Sequence, residues 1–168
     1  MSVEQRTAHS AGAGISAART VSASPEEVFA FLADLENHWA IADRFVDVVS
    51  LEGPPGARHG GLVRMRGPLE LRRTARTRVL EAHPSERMVG QAEIGRATSA
   101  RVQWTLDTHP DGTLVELAAT VDRASALDRL LLALGGARWL RRRFAGALDR
   151  LAAVVPANLD IAPDGEAA

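Results

Sequence analysis

Few residues of this 168-residue chain are placed to do chemistry, and Arg73 and His38 are the two whose positions single them out. Arg73 interrupts the apolar face of an alternating segment. A buried guanidinium is costly unless it is paired, so an inward Arg73 predicts an anion or carboxylate partner. His38 lies next to Trp39 and near Asp34 and Asp43, which permits general acid/base chemistry. Arg73 and His38 are therefore the candidate catalytic residues, and the alternative that a bulge lets Arg73 reach solvent stays open.

Several kinds of chemistry are excluded by composition. Cysteine, lysine and tyrosine are absent and all 20 basic residues are arginine, which excludes disulfides, thiolate metal sites and Schiff-base lysines. The five histidines lie in turns or tails without metal-ligand spacing, so we expect no metal and no cofactor. The net charge is −1 and no aromatic residues alternate with the arginines, which disfavours nucleic acid as a partner.

The N-terminus is polar and no apolar run is long enough to span a bilayer, which predicts a cytoplasmic protein. The chain predicts one domain over residues 15–155. Residues 1–14 are expected to form a disordered leader, and residues 156–168 a disordered acidic tail.

The elements that must position these residues are strands followed by one long C-terminal helix. Apolar residues recur at helical spacing from Ala124 to Val155, which predicts one helix with Arg141 inside its apolar face and Leu132 and Trp139 opposite. Gly135-Gly136 interrupts this run and permits a kink. The residues predicted to be buried are Leu127, Leu130, Leu131, Leu134, Ala137, Phe144, Leu148, Leu151 and Val155.

Upstream, the chain predicts one strand, two short helices and six further strands. Ser24-Pro25-Glu26-Glu27 is a helix start with a capping box. The segments 69–81, 99–108 and 113–121 alternate between apolar and polar residues, as half-buried strands do. Asp111-Gly112 is typical of a hairpin turn.

Short sequence motifs along the chain support this order of elements. They are the run from Val21 to Phe29, the Leu35–Trp39 turn, Arg78-Val79-Leu80-Glu81 with Pro84 to Met88, and Asp111-Gly112-Thr113. Together they resemble the START/Bet v 1-like superfamily, often labelled polyketide cyclase/dehydrase and lipid transport.

The resemblance implies an α+β helix-grip fold. A curved, seven-stranded antiparallel sheet would wrap around the long helix, with two short helices between strands 1 and 2 and an apolar cavity inside. Members bind lipids, sterols, quinones or polyketides, and some catalyse cyclisation or dehydration. In aromatase/cyclase members a strand arginine engages polyketide oxygens, a place that Arg73, Arg76 or Arg78 would fill here.

The expected ligand-binding residues combine apolar and aromatic side chains with two arginines. Ordinary core packing is the alternative for each apolar member, and outward snorkelling is the alternative for Arg141. The residues are Phe29, Trp39, Met65, Arg73, Trp104, Leu117, Leu134 and Arg141.

Three functions follow from the sequence. The first is binding of a hydrophobic small molecule, such as a lipid, an isoprenoid or a polyketide-like compound. The second is a cyclase/dehydrase-type enzyme of the same fold. The third is a protein-interaction module that uses Trp139 and the arginine-rich sheet face, since residues 58–87 hold eight arginines against three acids. A transient contact with an anionic membrane or a protein is a further expectation, for a monomer or a homodimer.

Overall fold

The structure, a computed structural model, describes residues 14–42, 45–67 and 71–159. Within these residues the elements follow the predicted order. Two short helices, α1 (Pro25–Leu32) and α2 (Leu35–Ile41), lie between the first and the second strand. The strands are β1 (Ile15–Val21), β2 (Val46–Glu52), β3 (Gly60–Arg66), β4 (Arg72–His83), β5 (Arg87–Ile94), β6 (Thr98–His109) and β7 (Gly112–Arg123). The predicted leader up to residue 13, the predicted start of the fourth strand at Leu69, and the tail beyond Leu159 lie outside the described residues.

The described strands form one antiparallel sheet in the order β1-β7-β6-β5-β4-β3-β2. Bulges interrupt β2, β4 and β7, and such bulges increase local twist and bend a sheet. The sheet therefore curves around the C-terminal helix, and the predicted helix-grip fold is confirmed.

The alternation predicted for the strands is confirmed in the burial of their side chains. Ala75 and Thr77 of β4 are buried, as are Trp104 of β6 and Leu117 of β7, whereas their chain neighbours point to the outer face or are less buried. The sheet thus presents one concave apolar face.

The two short helices are fixed at their starts by side-chain caps. Ser24 and Glu27 form the predicted capping box, with the Ser24 backbone N–H donating to Glu27 Oε2 at 2.7 Å. Asp34 caps α2, accepting from the backbone N–H groups of Glu36 at 2.9 Å and Arg58 at 3.3 Å. Because Arg58 lies in the connection between β2 and β3, this carboxylate ties α2 to the sheet.

The C-terminal helical region is broken, as Gly135-Gly136 permits. It consists of α3 (Ala126–Leu131), a five-residue π-helical turn (Leu132–Gly136) and α4 (Ala137–Leu159), which ends four residues beyond the predicted end. Gly135 has a φ of +113°, a conformation that side chains with a Cβ rarely adopt. The break changes which residues of the leucine-rich stretch face the sheet.

The predicted burial of Leu127, Leu130 and Leu134 is wrong, because these side chains are 54%, 54% and 76% exposed. Leu132 and Trp139, predicted to lie opposite the core, instead face the sheet. A single wheel assumes an unbroken 3.6-residue period, which the π-helical turn and the left-handed glycine interrupt.

Only the second half of α4 packs tightly. Leu148 and Leu151 are fully buried and Val155 is nearly so, against a core that includes Val28, Leu32 and Trp104. Arg150 Nε also donates to the Ile41 carbonyl at 2.6 Å, which joins α4 to the end of α2. The first half of α4 and α3 lie over a part of the sheet where the core does not close.

We expect Gly135→Ala to lower the free energy of unfolding by about 1–3 kcal/mol, since alanine is strained at this positive φ. A Cβ at this position would meet no neighbour within 4 Å, so a steric clash does not contribute. Urea denaturation would measure the change. Gly146→Ala is the control, because this residue lies inside α4 with ordinary contacts and alanine should be neutral or stabilising there. Equal effects at both positions would contradict the assigned break.

Candidate functional site

A cavity of about 320 Å³ lies between the concave face of the sheet, α2 and the first part of the C-terminal helical region. Its lining is predominantly apolar, with residues from β2 to β7, from α2, from α3 and from the first half of α4. The position follows from the uneven packing of α4, which closes on the sheet at its far end only.

Five of the eight residues expected to bind a ligand lie on the wall of this cavity: Trp39, Met65, Arg73, Trp104 and Leu117. The candidate catalytic residue His38 lies there as well.

The other three residues of that set lie elsewhere. Phe29 packs against the main core, and Leu134 and Arg141 are exposed at the surface. An unbroken helix would direct Leu134 and Arg141 to the core, and the break at Gly135 changes the direction of both side chains.

His38 is held as a neutral ring. Its Nε2 lies 2.7 Å from the Leu32 carbonyl oxygen, a bond that the ring makes as a donor, and its ring packs edge-on against Trp104 at 5.4 Å between centroids. Burial lowers the pKa of His38 to about 4, although the bond to Leu32 and the charge of Asp34 act in the opposite direction. Nδ1 is consequently the acceptor nitrogen of the ring at neutral pH. Of the two predicted carboxylate partners, Asp34 caps α2, and Asp43 lies outside the described residues.

Arg73 has the carboxylate partner that its inward position predicts, and the partner comes from the chain itself. Asp128 of α3 accepts hydrogen bonds from the Arg73 guanidinium on β4, from the Thr98 hydroxyl at the start of β6, and from the Ser125 hydroxyl at 2.8 Å. Asp128 is 7% exposed. Burial alone would raise the pKa of Asp128, but the bonds from Thr98, Ser125 and Arg73 and the charge of Arg73 together lower it. The cluster of Arg73, Thr98, Ser125 and Asp128 is hereafter the Asp128 cluster.

A second polar feature of the wall is Arg143 of α4. Its guanidinium carbon lies 5.2 Å from the centre of the Trp139 ring and 5.4 Å from that of Phe45. The two rings meet edge-on at 5.8 Å. Cation–π contacts of this kind hold an arginine against apolar surface.

Sequence reasoning missed Asp128, Thr98, Phe45 and Arg143 as residues of this site. One sign was available for Asp128, since it is the only acid between residues 126 and 142, in a segment rich in leucine. Nothing comparable marks Phe45 or Arg143, whose positions depend on where α4 lies over the sheet.

The arginine-rich outer face of the sheet lies on the side away from the cavity. Arg66 pairs with Asp47 at 3.5 Å, Arg76 pairs with Glu52 at 3.5 Å, and the Arg78 guanidinium donates to Gln91 at 2.7 Å. These are exposed cross-strand contacts, each of which contributes little to stability.

We expect Asp128→Asn to lower the free energy of unfolding by about 1–3 kcal/mol at neutral pH, because charged and hydroxyl donors lose a carboxylate acceptor. This loss of stability is smaller than that expected for breaking a fully buried ion pair, because the Arg73 side chain is one-third exposed. Chemical denaturation would measure it. Asp149→Asn is the control, since Asp149 pairs with Arg19 at the exposed surface and should matter by less than about 1 kcal/mol.

The loss of unfolding free energy in Asp128→Asn should also depend on pH. A carboxylate with a lowered pKa in the folded state stabilises above the ordinary aspartate range, and this contribution is lost as the pH falls through the folded-state pKa. The difference between wild type and Asp128→Asn should therefore narrow in strong acid. A difference that stays constant with pH would contradict the assignment.

His38 predicts a second pH dependence. The ring binds a proton less readily folded than unfolded, so stability should fall as the pH decreases from 6.5 towards 4, by at most about 3 kcal/mol. His38→Gln should remove that part of the slope, and unfolding titrations at several pH values would show it. The same substitution at exposed His59 controls for loss of a histidine elsewhere. An unchanged slope in His38→Gln would contradict the buried neutral ring.

Two features of other protein classes are absent from the described part of the chain. No three His, Asp or Glu side chains there come together as a metal site requires. None of the described helices has the length and hydropathy to cross a membrane.

Solved structures share this fold at low sequence identity. TTHA0849 from Thermus thermophilus is 19% identical with a TM-score of 0.65, over 86% of this chain and 98% of that one. KanY is 17% identical with a TM-score of 0.67, over 85% of this chain and 97% of that one. DynU16, a protein of the dynemicin biosynthetic locus, is 15% identical with a TM-score of 0.55, over 86% of this chain and 48% of that one.

No curated protein matches the chain in sequence. The family model described as polyketide cyclase / dehydrase and lipid transport matches residues 13–156, which is most of the chain and all of the sheet. With the helix-grip fold already established, this match shows that the chain belongs to the polyketide cyclase/dehydrase and lipid transport family.

Proposed function

We propose that this protein binds a hydrophobic small molecule in the cavity between the sheet and the C-terminal helical region. The observation that carries the proposal is the cavity itself, about 320 Å³ in volume and lined by apolar and aromatic side chains. Ligand sites are typically concave, mostly apolar and furnished with a few polar groups. The family description, which includes lipid transport, supports the same function.

The size of the cavity constrains the ligand. Its volume is near the lower end of the range for sites of drug-sized molecules, about 300–1,000 Å³. A compact isoprenoid or a polyketide-like ring system suits this volume better than a lipid with two long acyl chains. The walls from Trp39 and Trp104 favour a flat or ring-containing ligand, since aromatic rings pack well against one another.

The polar groups of the wall favour a ligand with few polar atoms. Arg73 is engaged by Asp128. His38 offers Nδ1 as an acceptor, because its Nε2–H donates to the Leu32 carbonyl oxygen. A single ligand hydroxyl directed at His38 Nδ1 is therefore the polar contact that we expect.

An enzyme of the cyclase/dehydrase type is the second candidate, favoured by the presence of both His38 and Arg73 on the wall. Two observations rank it below binding. A ring with a pKa of about 4 is a weak general base at neutral pH, and the Arg73 guanidinium already has a carboxylate partner. Product formation that is lost in His38→Gln would favour the enzyme.

The protein-interaction module ranks third. Trp139, expected to serve it, lies on the cavity wall, and Arg66 and Arg76 of the outer face have partners within the sheet. Loss of a captured partner in Arg72→Glu with Arg76→Glu, with ligand binding unchanged, would raise it above the others.

We expect Ala119→Trp to weaken ligand binding at least about tenfold, because Ala119 lines the cavity and an indole there would occupy its space. Titration with the neutral fluorophore N-phenylnaphthylamine would measure binding. Native mass spectrometry of the gently purified protein, before and after denaturation, would give the mass of any bound molecule.

The control for this substitution is Ala118→Trp, one residue earlier on β7 and therefore on the opposite face of the sheet. It should bind the fluorophore as wild type does. Both variants should retain the far-ultraviolet circular dichroism of the wild type. Unchanged binding in a folded Ala119→Trp variant would overturn the cavity as the binding site.

A further inference from the structure

Three leucines of the helical segment that covers the cavity face solvent. Leu127 and Leu130 are each 54% exposed and Leu134 is 76% exposed, at a spacing of three and four residues. Leu127 and Leu130 lie on one side of α3, and Leu134 follows in the π-helical turn. Exposed apolar residues scattered singly need no explanation, but a cluster of large ones marks a contact surface. We call these three residues the leucine patch.

The exposed charged residues of the segment from Ala126 to Arg142 are of one sign. Arg129 on α3 and Arg138, Arg141 and Arg142 on α4 are exposed. Asp128 is the only acid from residue 126 to residue 142, and it is buried in its cluster with Arg73. This segment therefore carries exposed leucines and exposed positive charge together.

The same segment forms the cavity wall on its other side. Leu131, Leu132 and Gly136 line the cavity, whereas Leu127, Leu130 and Leu134 point away from it. Only one helical layer thus separates the cavity from the surface here. The left-handed backbone at Gly135 lies within this layer.

We propose that the segment from Ala126 to Arg142 docks on an anionic membrane surface, with the leucine patch in the headgroup boundary and the four arginines at the lipid phosphates. Interfacial helices combine an apolar side with basic flanks in this way. A second copy of the chain is a poorer occupant, because a symmetric contact would bring the two arginine sets together. The inference rests on the proposed function, for which a bilayer is the source or destination of an apolar ligand.

Vesicle sedimentation of the full chain tests the proposal. The protein should bind phosphatidylglycerol vesicles and should bind pure phosphatidylcholine vesicles at least about tenfold more weakly. The combined variant Leu127→Gln, Leu130→Gln and Leu134→Gln should lose at least about tenfold in affinity for the anionic vesicles. Circular dichroism confirms that the variant is folded.

A matched control exchanges three exposed apolar residues of the sheet, Val49→Gln, Leu80→Gln and Leu114→Gln. This variant should bind anionic vesicles as the wild type does. An equal loss in both variants would overturn the leucine patch as the docking site.

The arginines are tested separately. Arg138→Gln with Arg142→Gln should weaken binding to phosphatidylglycerol vesicles several-fold and reduce its dependence on salt, because each removed charge removes an electrostatic contact. Arg64→Gln with Arg72→Gln, on β3 and β4, is the control and should not change binding. A greater effect in this control would place the contact on the sheet and overturn the proposal.

Two further results separate this inference from the proposed function and from self-association. Binding of N-phenylnaphthylamine without vesicles tests the cavity alone, so intact fluorophore binding with no affinity for vesicles overturns the docking surface only. Light scattering gives the oligomeric state. A dimer that becomes a monomer in the leucine variant would assign the patch to a second copy and overturn the proposal.

Discussion

The buried carboxylate of Asp128 fixes the geometry on which the cavity depends. It joins α3 to β4 through Arg73 and to β6 through Thr98, and these two strands are separated in the sheet by β5. A buried carboxylate without partners would be strongly unfavourable, so α3 is stable only in the rotation that brings Asp128 to its three donors. That rotation directs Leu131 and Leu132 inward and leaves Leu127 and Leu130 in solvent. One polar residue therefore outweighs two leucines in setting the direction of the helix.

A cavity remains because tight packing is confined to one end of the molecule. Leu148, Leu151 and Val155 of α4 close onto the main core, together with α1, β1 and the strands β5 to β7. At the other end, Val46, Val63 and Ala75 form a smaller cluster of their own, with Phe45 and Met65 against it. The space between the two clusters is bridged by side chains from α2 and the first half of α4. Its shape therefore depends on where α4 begins, and this is set by the break at Gly135.

The strands were predictable because the two-residue alternation of apolar and polar side chains depends only on neighbouring residues in the sequence. A strand that is half buried must alternate, so the inward positions of Ala75, Trp104 and Leu117 could be assigned without knowledge of the fold. The inward direction of Arg73 and its need for a carboxylate followed in the same way. The identity of that carboxylate did not, because Asp128 is 55 residues distant and belongs to another element.

The helix was less predictable, because the direction of its apolar side depends on tertiary contacts. Leu130 and Leu131 are equally apolar, and only the Asp128 cluster and the backbone at Gly135 decide which one faces the cavity. The same limit explains why Trp139 was assigned to the wrong side. A glycine pair in a helical stretch indicates where the period can break, but it does not give the angle of the break.

The polar groups of the wall bear on how a bound ligand would be selected. Arg73 and His38 each have a hydrogen-bond partner within the protein. Binding in the proposed site would therefore be driven mainly by burial of apolar surface, with a negative heat-capacity change as its thermodynamic signature. An apolar pocket distinguishes ligands that differ by one methylene by only about 10- to 200-fold, whereas a pocket of unpaired polar groups discriminates far more strongly. The wall offers a ligand few polar contacts, among them His38 Nδ1 and the buried Trp39 Nε1–H, which has no hydrogen-bond partner among the described residues. Such a cavity suits the carrying of a class of related apolar molecules, and a cyclase that must fold one polyketide in one way would need more free polar groups.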